Sequence, residues 1–98
     1  MITVRISDGN DGFEISGHSG MSKKGSDIVC ASVSSAAYMV VNTITDVLGV
    51  KTEIEIADGF MKIALTEKNG EAERLIKGFR LHIDGIAEQY PQYVIRQK

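Results

Sequence analysis

The chain has 98 residues, of which 43% are hydrophobic and 24% charged, with one cysteine and no tryptophan. This composition is typical of one soluble domain, residues 1–98, with a mainly aliphatic core. A net charge of −2 argues against a general nucleic-acid binder, and a lone cysteine cannot form an intrachain disulfide. Because no charged-then-apolar leader is evident, we expect a cytoplasmic protein without membrane or direct nucleic-acid contacts.

The first sixteen residues predict a β-hairpin. Residues 1–7 alternate apolar and polar side chains, which is the period of a half-buried strand. Residues 8–12 are rich in Asp, Asn and Gly, and residues 13–16 resume the alternation. We therefore expect two paired strands at the start of the chain.

A helix is predicted from Asp27, a good N-cap residue, to Leu48, with Gly49 in the C′ position. Polar residues interrupt its apolar run, which indicates a core helix and not a membrane span. Apolar or small residues occupy nearly its whole circumference. The sheet-facing stripe is predicted to be Ala31, Val33, Ala36, Ala37, Val40, Val41, Ile44 and Leu48, with Val29, Met39 and Val47 off it. A helix that is apolar all round is expected to be buried on two sides. In so small a domain, another copy of the chain would supply the second layer, so we predict a homodimer.

The second half of the chain predicts another hairpin, another helix and a last strand. Residues 51–57 and 60–65 alternate and are joined by Asp58-Gly59, a two-residue hairpin signal. Residues 71–89 form an amphipathic helix with an apolar stripe, ended by Pro91, and residues 93–96 form a short strand. The order ββ-α-ββ-α-β predicts an α+β two-layer sandwich, with helices on a mixed or mostly antiparallel sheet. The sequence does not define the strand order.

The chemically distinctive segment runs from Gly17 to Cys30 and also contains His18, Gly20 and Gly25. The predicted cap places Cys30 near the third position of the first helical turn. Exposed N–H groups and the helix dipole there favour a thiolate and could stabilise an oxyanion. His18, at the other end of the glycine-rich loop, could pair with the thiolate and protonate a leaving amine. We therefore predict a Cys–His pair where a loop enters a helix.

Structural interpretations of the same residues are also open. A lone cysteine at the start of an apolar helix is often a small buried hydrophobe, and a loop histidine is often merely solvated. The segment 20–25, with Lys23 and Lys24, also suggests an anion- or nucleotide-binding domain. Asp27 opposes that interpretation because it would repel a phosphate.

Other common sites find little support. Ser19 lacks the spacing of a nucleophile elbow. Two histidines and one thiol are a poor zinc set, with His82 far away on the second helix and without an assigned role. We expect neither a metal nor another cofactor.

Two motifs resemble a known family. Gly17-His18, together with Gly25-Ser26-Asp27-Ile28-Val29-Cys30-Ala31 followed by Ser34, is similar to the signature of the ribosomal-processing cysteine protease family Prp. The resemblance extends to the element order over nearly the whole chain. It implies a small dimeric protease that removes the N-terminal extension of a large-subunit ribosomal protein, cutting after Phe-Phe and before a small residue. It also implies that His18 and Cys30 are the catalytic pair.

The resemblance includes supporting positions, and one segment of the chain departs from the family pattern. Asp27 matches the family's Asp before Ile-Val-Cys, and Ser34, one turn after Cys30, could contact the sulfur or the substrate. The segment between Gly20 and Gly25 is Met-Ser-Lys-Lys, where some relatives have an acidic, His-containing loop. No residue that orients His18 is evident. The alternative function is a non-enzymatic ribosome-associated or peptide-binding module.

Overall fold

The computed structural model describes residues 1–18 and 27–97. The elements are β1 (Ile2–Ile6), β2 (Gly12–Ser16), α1 (Ile28–Asn42) continued by a π-helical turn (Thr43–Val47), β3 (Thr52–Ala57), β4 (Phe60–Leu65), α2 (Gly70–Gln89) and β5 (Val94–Gln97). The predicted order ββ-α-ββ-α-β is confirmed, with most boundaries within one or two residues. Gly49 has the left-handed φ of +66° expected after a helix.

The five strands form one mixed sheet in the order β3-β4-β2-β1-β5. The β1–β2, β2–β4 and β3–β4 pairs are antiparallel, and β1 pairs with β5 in parallel. The parallel pair arises because β5 follows α2 and returns along the sheet beside β1. The two helices pack on this sheet, so the predicted α+β sandwich is confirmed.

Helix α1 contacts the core through residues spaced four apart: Val29, Val33, Ala37 and Val41 are buried, followed by Ile44 in the π turn. The predicted stripe was wrong at two positions. Val29 belongs to it, and Ala31 is exposed. A helix this uniformly apolar does not define its own rotation, and packing on the sheet decides which positions are covered. Met39 is 73% exposed and Val47 76% exposed, so one chain alone does not bury α1 on two sides.

Helix α2 is amphipathic as predicted. Its buried residues are Ala72, Ile76, Phe79, Ile83 and Ile86. Phe79 stacks on Phe13 of β2 with ring centroids 4.4 Å apart. Asn69 caps the helix by accepting a hydrogen bond from the Ala72 amide at 2.9 Å. Both helices therefore share one hydrophobic core with the sheet.

The segment Ile28–Val47 is long and apolar enough to cross a membrane, judged by length and composition alone, and it is the one such helix in residues 1–18 and 27–97. Its buried stripe belongs to the same core as the sheet strands. One such helix is weak evidence for a membrane span, because the core helix of a soluble protein passes the same test.

The core packing predicts a large difference between two Ile→Ala substitutions. Ile76 in α2 is fully buried, so Ile76→Ala should lower the free energy of unfolding by about 2–5 kcal/mol. Ile95 in β5 is 42% exposed, and Ile95→Ala should cost about 1 kcal/mol or less. Urea denaturation of both variants tests this, and similar losses would contradict the described core.

Candidate active site

A cleft of about 190 Å³ lies where the end of β2, the start of α1 and the β3–β4 turn meet. Four residues singled out from the sequence line it: Gly17, His18, Cys30 and Ser34. The fold thus brings His18 and Cys30 to one cavity, although twelve positions separate them in the chain.

Asp27 holds the backbone around Cys30. Its carboxylate accepts a hydrogen bond from the Cys30 amide at 2.9 Å, and its carbonyl accepts one from Ala31 at 3.1 Å. This is an N-cap, and it places Cys30 at the third position of α1 as predicted. The Cys30 side chain is half-buried, with its helix turn anchored by Val29 in the core. The cysteine therefore occupies a fixed place at the cleft wall.

The cleft-facing side of α1 is defined by a spacing of four residues. Cys30, Ser34 and Tyr38 follow one another along one line of the helix, and all three line the cleft. Ser34 is exposed, and Tyr38 is 43% exposed. Ser34 therefore lies one turn from Cys30 on the same side, as its position in the sequence predicts.

The register of β2 with β4 determines where His18 lies. Ser16 pairs with Phe60, and the Gly17 amide donates to the Gly59 carbonyl at 2.8 Å. The next residue, His18, consequently lies beside the turn between β3 and β4. Its Nε2 is 4.0 Å from Oδ1 of Asp58, and its side chain is 63% exposed.

The backbone conformation at position 17 requires a glycine. Its φ is +91°, and a Cβ there would lie 2.2 Å from the Met1 carbonyl oxygen. The N-terminal ammonium of Met1 also donates to the His18 carbonyl. The backbone entering His18 is thus held against the start of β1.

The remaining predicted site residues, Gly20 and Gly25, lie outside the described residues. So do the pair Lys23-Lys24 and the rest of the loop 19–26, on which the anion-binding interpretation depended. Within the described part of the chain, no three His, Cys, Asp or Glu side chains are grouped so as to hold a metal ion.

The sequence analysis missed several cleft residues. Asp58 and Gly59 were interpreted only as a turn, because the strand order that brings this turn beside β2 was unknown. The apolar lining was also missed: it comes from Ile15, Ala37, Tyr38, Ile56, Phe60 and Met61. The alternation of β3 and β4 predicted which strand face each residue occupies, but not that these ends border the cysteine.

Comparison with known proteins gives a family match. Residues 1–95 match the family model of cysteine protease Prp. A search of curated protein sequences gives no significant match.

Solved structures with the same fold cover nearly the whole chain. The ribosomal processing protease Prp from S. aureus, solved with a covalently linked product peptide, has a TM-score of 0.89 and 26% identity, covering 99% of this chain and 98% of that one. The SMU.848 protein from Streptococcus mutans has a TM-score of 0.77 and 30% identity, covering 99% and 92%. A further S. aureus Prp structure with a substrate peptide has a TM-score of 0.81 at 22% identity over 98% and 95% of the two chains, which supports the fold.

The cap at Asp27 gives a stability prediction. Asp27→Ala should lower the free energy of unfolding by about 1 kcal/mol, because the Cys30 amide loses its acceptor, while Asp27→Asn should retain most of the stability. Asn69→Ala at the start of α2 removes an equivalent cap and is the matched control. Chemical denaturation measures all three, and an Asp27→Ala variant as stable as the parent would show that this cap contributes nothing.

Proposed function

The chain belongs to the cysteine protease Prp family and is a cysteine protease, and we propose that Cys30 is its nucleophile and His18 its acid–base partner. One observation carries the assignment: Cys30 and His18 line the same cleft, with Cys30 at a capped helix start. Cys30 is also the one cysteine of the chain, so no other thiol can serve as the nucleophile.

The reaction proceeds in two steps. The Cys30 thiolate attacks the scissile carbonyl and forms a C–S bond, and the His18 imidazolium gives its proton to the departing amine as the C–N bond breaks. A water molecule then attacks the thioester carbonyl while His18 accepts one of its protons. The carboxylic acid leaves, and the thiolate–imidazolium pair is restored.

The oxyanion formed in both steps needs donors at the helix start. The Cys30 amide already donates to Asp27, so the first-turn amides of Ile28 and Val29 are the better candidates.

Ser34 is suited to contact the sulfur or the substrate backbone, since it lines the cleft one turn further along. Asp27 supports the reaction by holding this turn, and Gly17 by holding the entry to His18. Gly20 and Gly25 are assigned supporting or substrate-binding roles on the family resemblance.

The substrate we propose is the precursor of a large-subunit ribosomal protein, cleaved after Phe-Phe and before a small residue. The S. aureus relative is a ribosomal processing protease solved with peptides, which supports a peptide substrate of this kind. The cleft wall formed by Tyr38, Ile56, Phe60 and Met61 suits an aromatic side chain. Processing of this precursor places the enzyme in the cytoplasm. Family membership favours this activity over a non-enzymatic peptide-binding module.

We further propose that the enzyme is a homodimer through the outer face of its helix layer. A groove there lies between α1 and α2, lined by Ser32, Ser35, Ala36, Met39, Val40, Arg74, Leu75, Gly78, Phe79 and His82. Met39 in the groove is 73% exposed, and Ile28 of α1 and Leu81 of α2 are 55% and 69% exposed. Gly78 and Gly85 of α2 have open space beside them, although glycine costs about 1 kcal/mol in a helix relative to alanine. A second copy would bury this surface and use the room that the glycines leave.

The nucleophile is tested by replacing Cys30. Cys30→Ala should reduce kcat/KM on a peptide spanning the Phe-Phe site by roughly 10⁴-fold or more, because no other thiol can form the acyl-enzyme. Chemical denaturation should show nearly unchanged stability. Cys30→Ser keeps the side-chain shape, and peptide binding should survive while cleavage does not. Undiminished cleavage by the Ala variant would overturn the assignment.

The companion measurement is His18→Ala across pH 6–9. It should lower kcat by roughly 10²–10⁴-fold, the usual contribution of a general acid–base group. A full rate over that range would remove His18 from the mechanism and leave Cys30 in place.

The dimer is tested by light scattering at micromolar concentration. Met39→Glu and Leu81→Glu should each shift the particle mass from two chains towards one, because an unpaired charge would be buried at the interface. Ile95→Glu introduces the same charge on the sheet face away from the helices and should leave the mass unchanged. A monodisperse monomer of the unaltered chain would contradict the proposal.

A further inference from the structure

We propose that the β3–β4 turn, Asp58-Gly59, positions His18 for catalysis. Gly59 provides the backbone surface against which the imidazole lies, and Asp58 provides a carboxylate at ion-pair distance from its Nε2. This inference rests on the proposed Cys30–His18 pair and supplies the orienting residues that the sequence did not reveal.

Only glycine, which has no side chain, fits at position 59 beside His18. A Cβ at Gly59 would lie 2.8 Å from Nε2 of His18 and 3.4 and 3.5 Å from its Cδ2 and Cε1. The ring edge therefore fills the space that any side chain at 59 would need. The hydrogen bond from the Gly17 amide to the Gly59 carbonyl joins the two backbones one residue before the histidine. Gly59 thus limits the position of the imidazole ring on one side, and its carbonyl accepts the hydrogen bond that holds the end of β2.

Asp58 faces the same nitrogen. Its Oδ1 lies 4.0 Å from Nε2, which is an ion-pair distance and longer than a direct hydrogen bond. The Asp58 side chain is fully exposed, so its attraction to the imidazolium is modest and screened by salt. Among residues 1–18 and 27–97, the other ionisable groups that line this cleft or contact His18 are the Cys30 thiol, the Tyr38 phenol and the Met1 ammonium, which donates to the His18 carbonyl.

Nε2 is the ring nitrogen that faces the turn, against Gly59 and 4.0 Å from Oδ1 of Asp58. The turn therefore acts through His18 and does not itself contact the reacting atoms.

The role of Gly59 is tested by comparing its substitution with that of Gly49, a glycine with the same backbone conformation. Gly59 and Gly49 have φ of +67° and +66°, but a Cβ at Gly49 would meet nothing within 4 Å. Gly59→Ala and Gly49→Ala should lower Tm by similar amounts because both strain a left-handed residue. Only Gly59→Ala should lower kcat, by roughly 10–100-fold with KM nearly unchanged, because it displaces the imidazole. Equal kcat values for the two variants would overturn the role of Gly59.

Asp58 is tested by removing its charge without changing the turn. Asn-Gly is as favourable as Asp-Gly in a two-residue hairpin, so Asp58→Asn should fold normally. At low salt its kcat should fall about two- to fivefold, the range expected for an exposed ion pair. The difference from the parent should vanish near 1 M NaCl, where the screening length is about 3 Å, and Asp58→Glu should restore part of the rate.

Glu55→Gln is the matched control for charge. Glu55 is an exposed carboxylate of β3, and its loss should not change kcat at either salt concentration. If Asp58→Asn behaves like Glu55→Gln, the electrostatic role of Asp58 is wrong.

The measurements separate this inference from the proposed function. An inactive His18→Ala variant together with fully active Gly59→Ala and Asp58→Asn variants would overturn the positioning role and leave the catalytic pair intact. A fully active His18→Ala variant would overturn the pair itself, and the positioning role with it.

Discussion

The antiparallel pairing of β2 with β4 is the constraint on which the site depends. The pair Ser16 with Phe60 and the hydrogen bond between Gly17 and Gly59 put the end of β2 against the β3–β4 turn. A shift of this register by one residue would turn every β2 side chain to the opposite face of the sheet. It would also move His18 away from the turn and break the match between Gly59 and the imidazole ring.

The side of the cleft that carries Cys30 depends on a different interaction, the burial of α1 against the same sheet. Val29, Val33, Ala37 and Val41 fix the rotation of the helix, and that rotation directs Cys30, Ser34 and Tyr38 towards the cleft. Asp27 then completes the first turn by accepting from the Cys30 amide. The proposed nucleophile thus stands on a rigid element, while the proposed base follows a strand end and depends on neighbouring backbone for its orientation.

The same helix has a second apolar surface that the single chain leaves exposed. Met39 and Val47 are among its most exposed residues, although the helix composition alone suggested burial on both sides. Both helices pack against the same sheet, and no side chain in residues 1–18 and 27–97 buries the outward side of α1. The proposed homodimer would bury that side at the groove between α1 and α2.

The sequence by itself determined the elements, the cap at Asp27 and the place of Cys30 as the third residue of α1, because alternation, capping and turn residues act between near neighbours in the chain. It did not determine the rotation of α1, where Val29 and Ala31 exchanged their predicted places, because a helix apolar all round has no preferred face. Nor did it reveal Asp58 and Gly59 beside His18. That contact joins segments some forty residues apart, and only the strand order β3-β4-β2-β1-β5, set by packing of the whole sheet, brings them together.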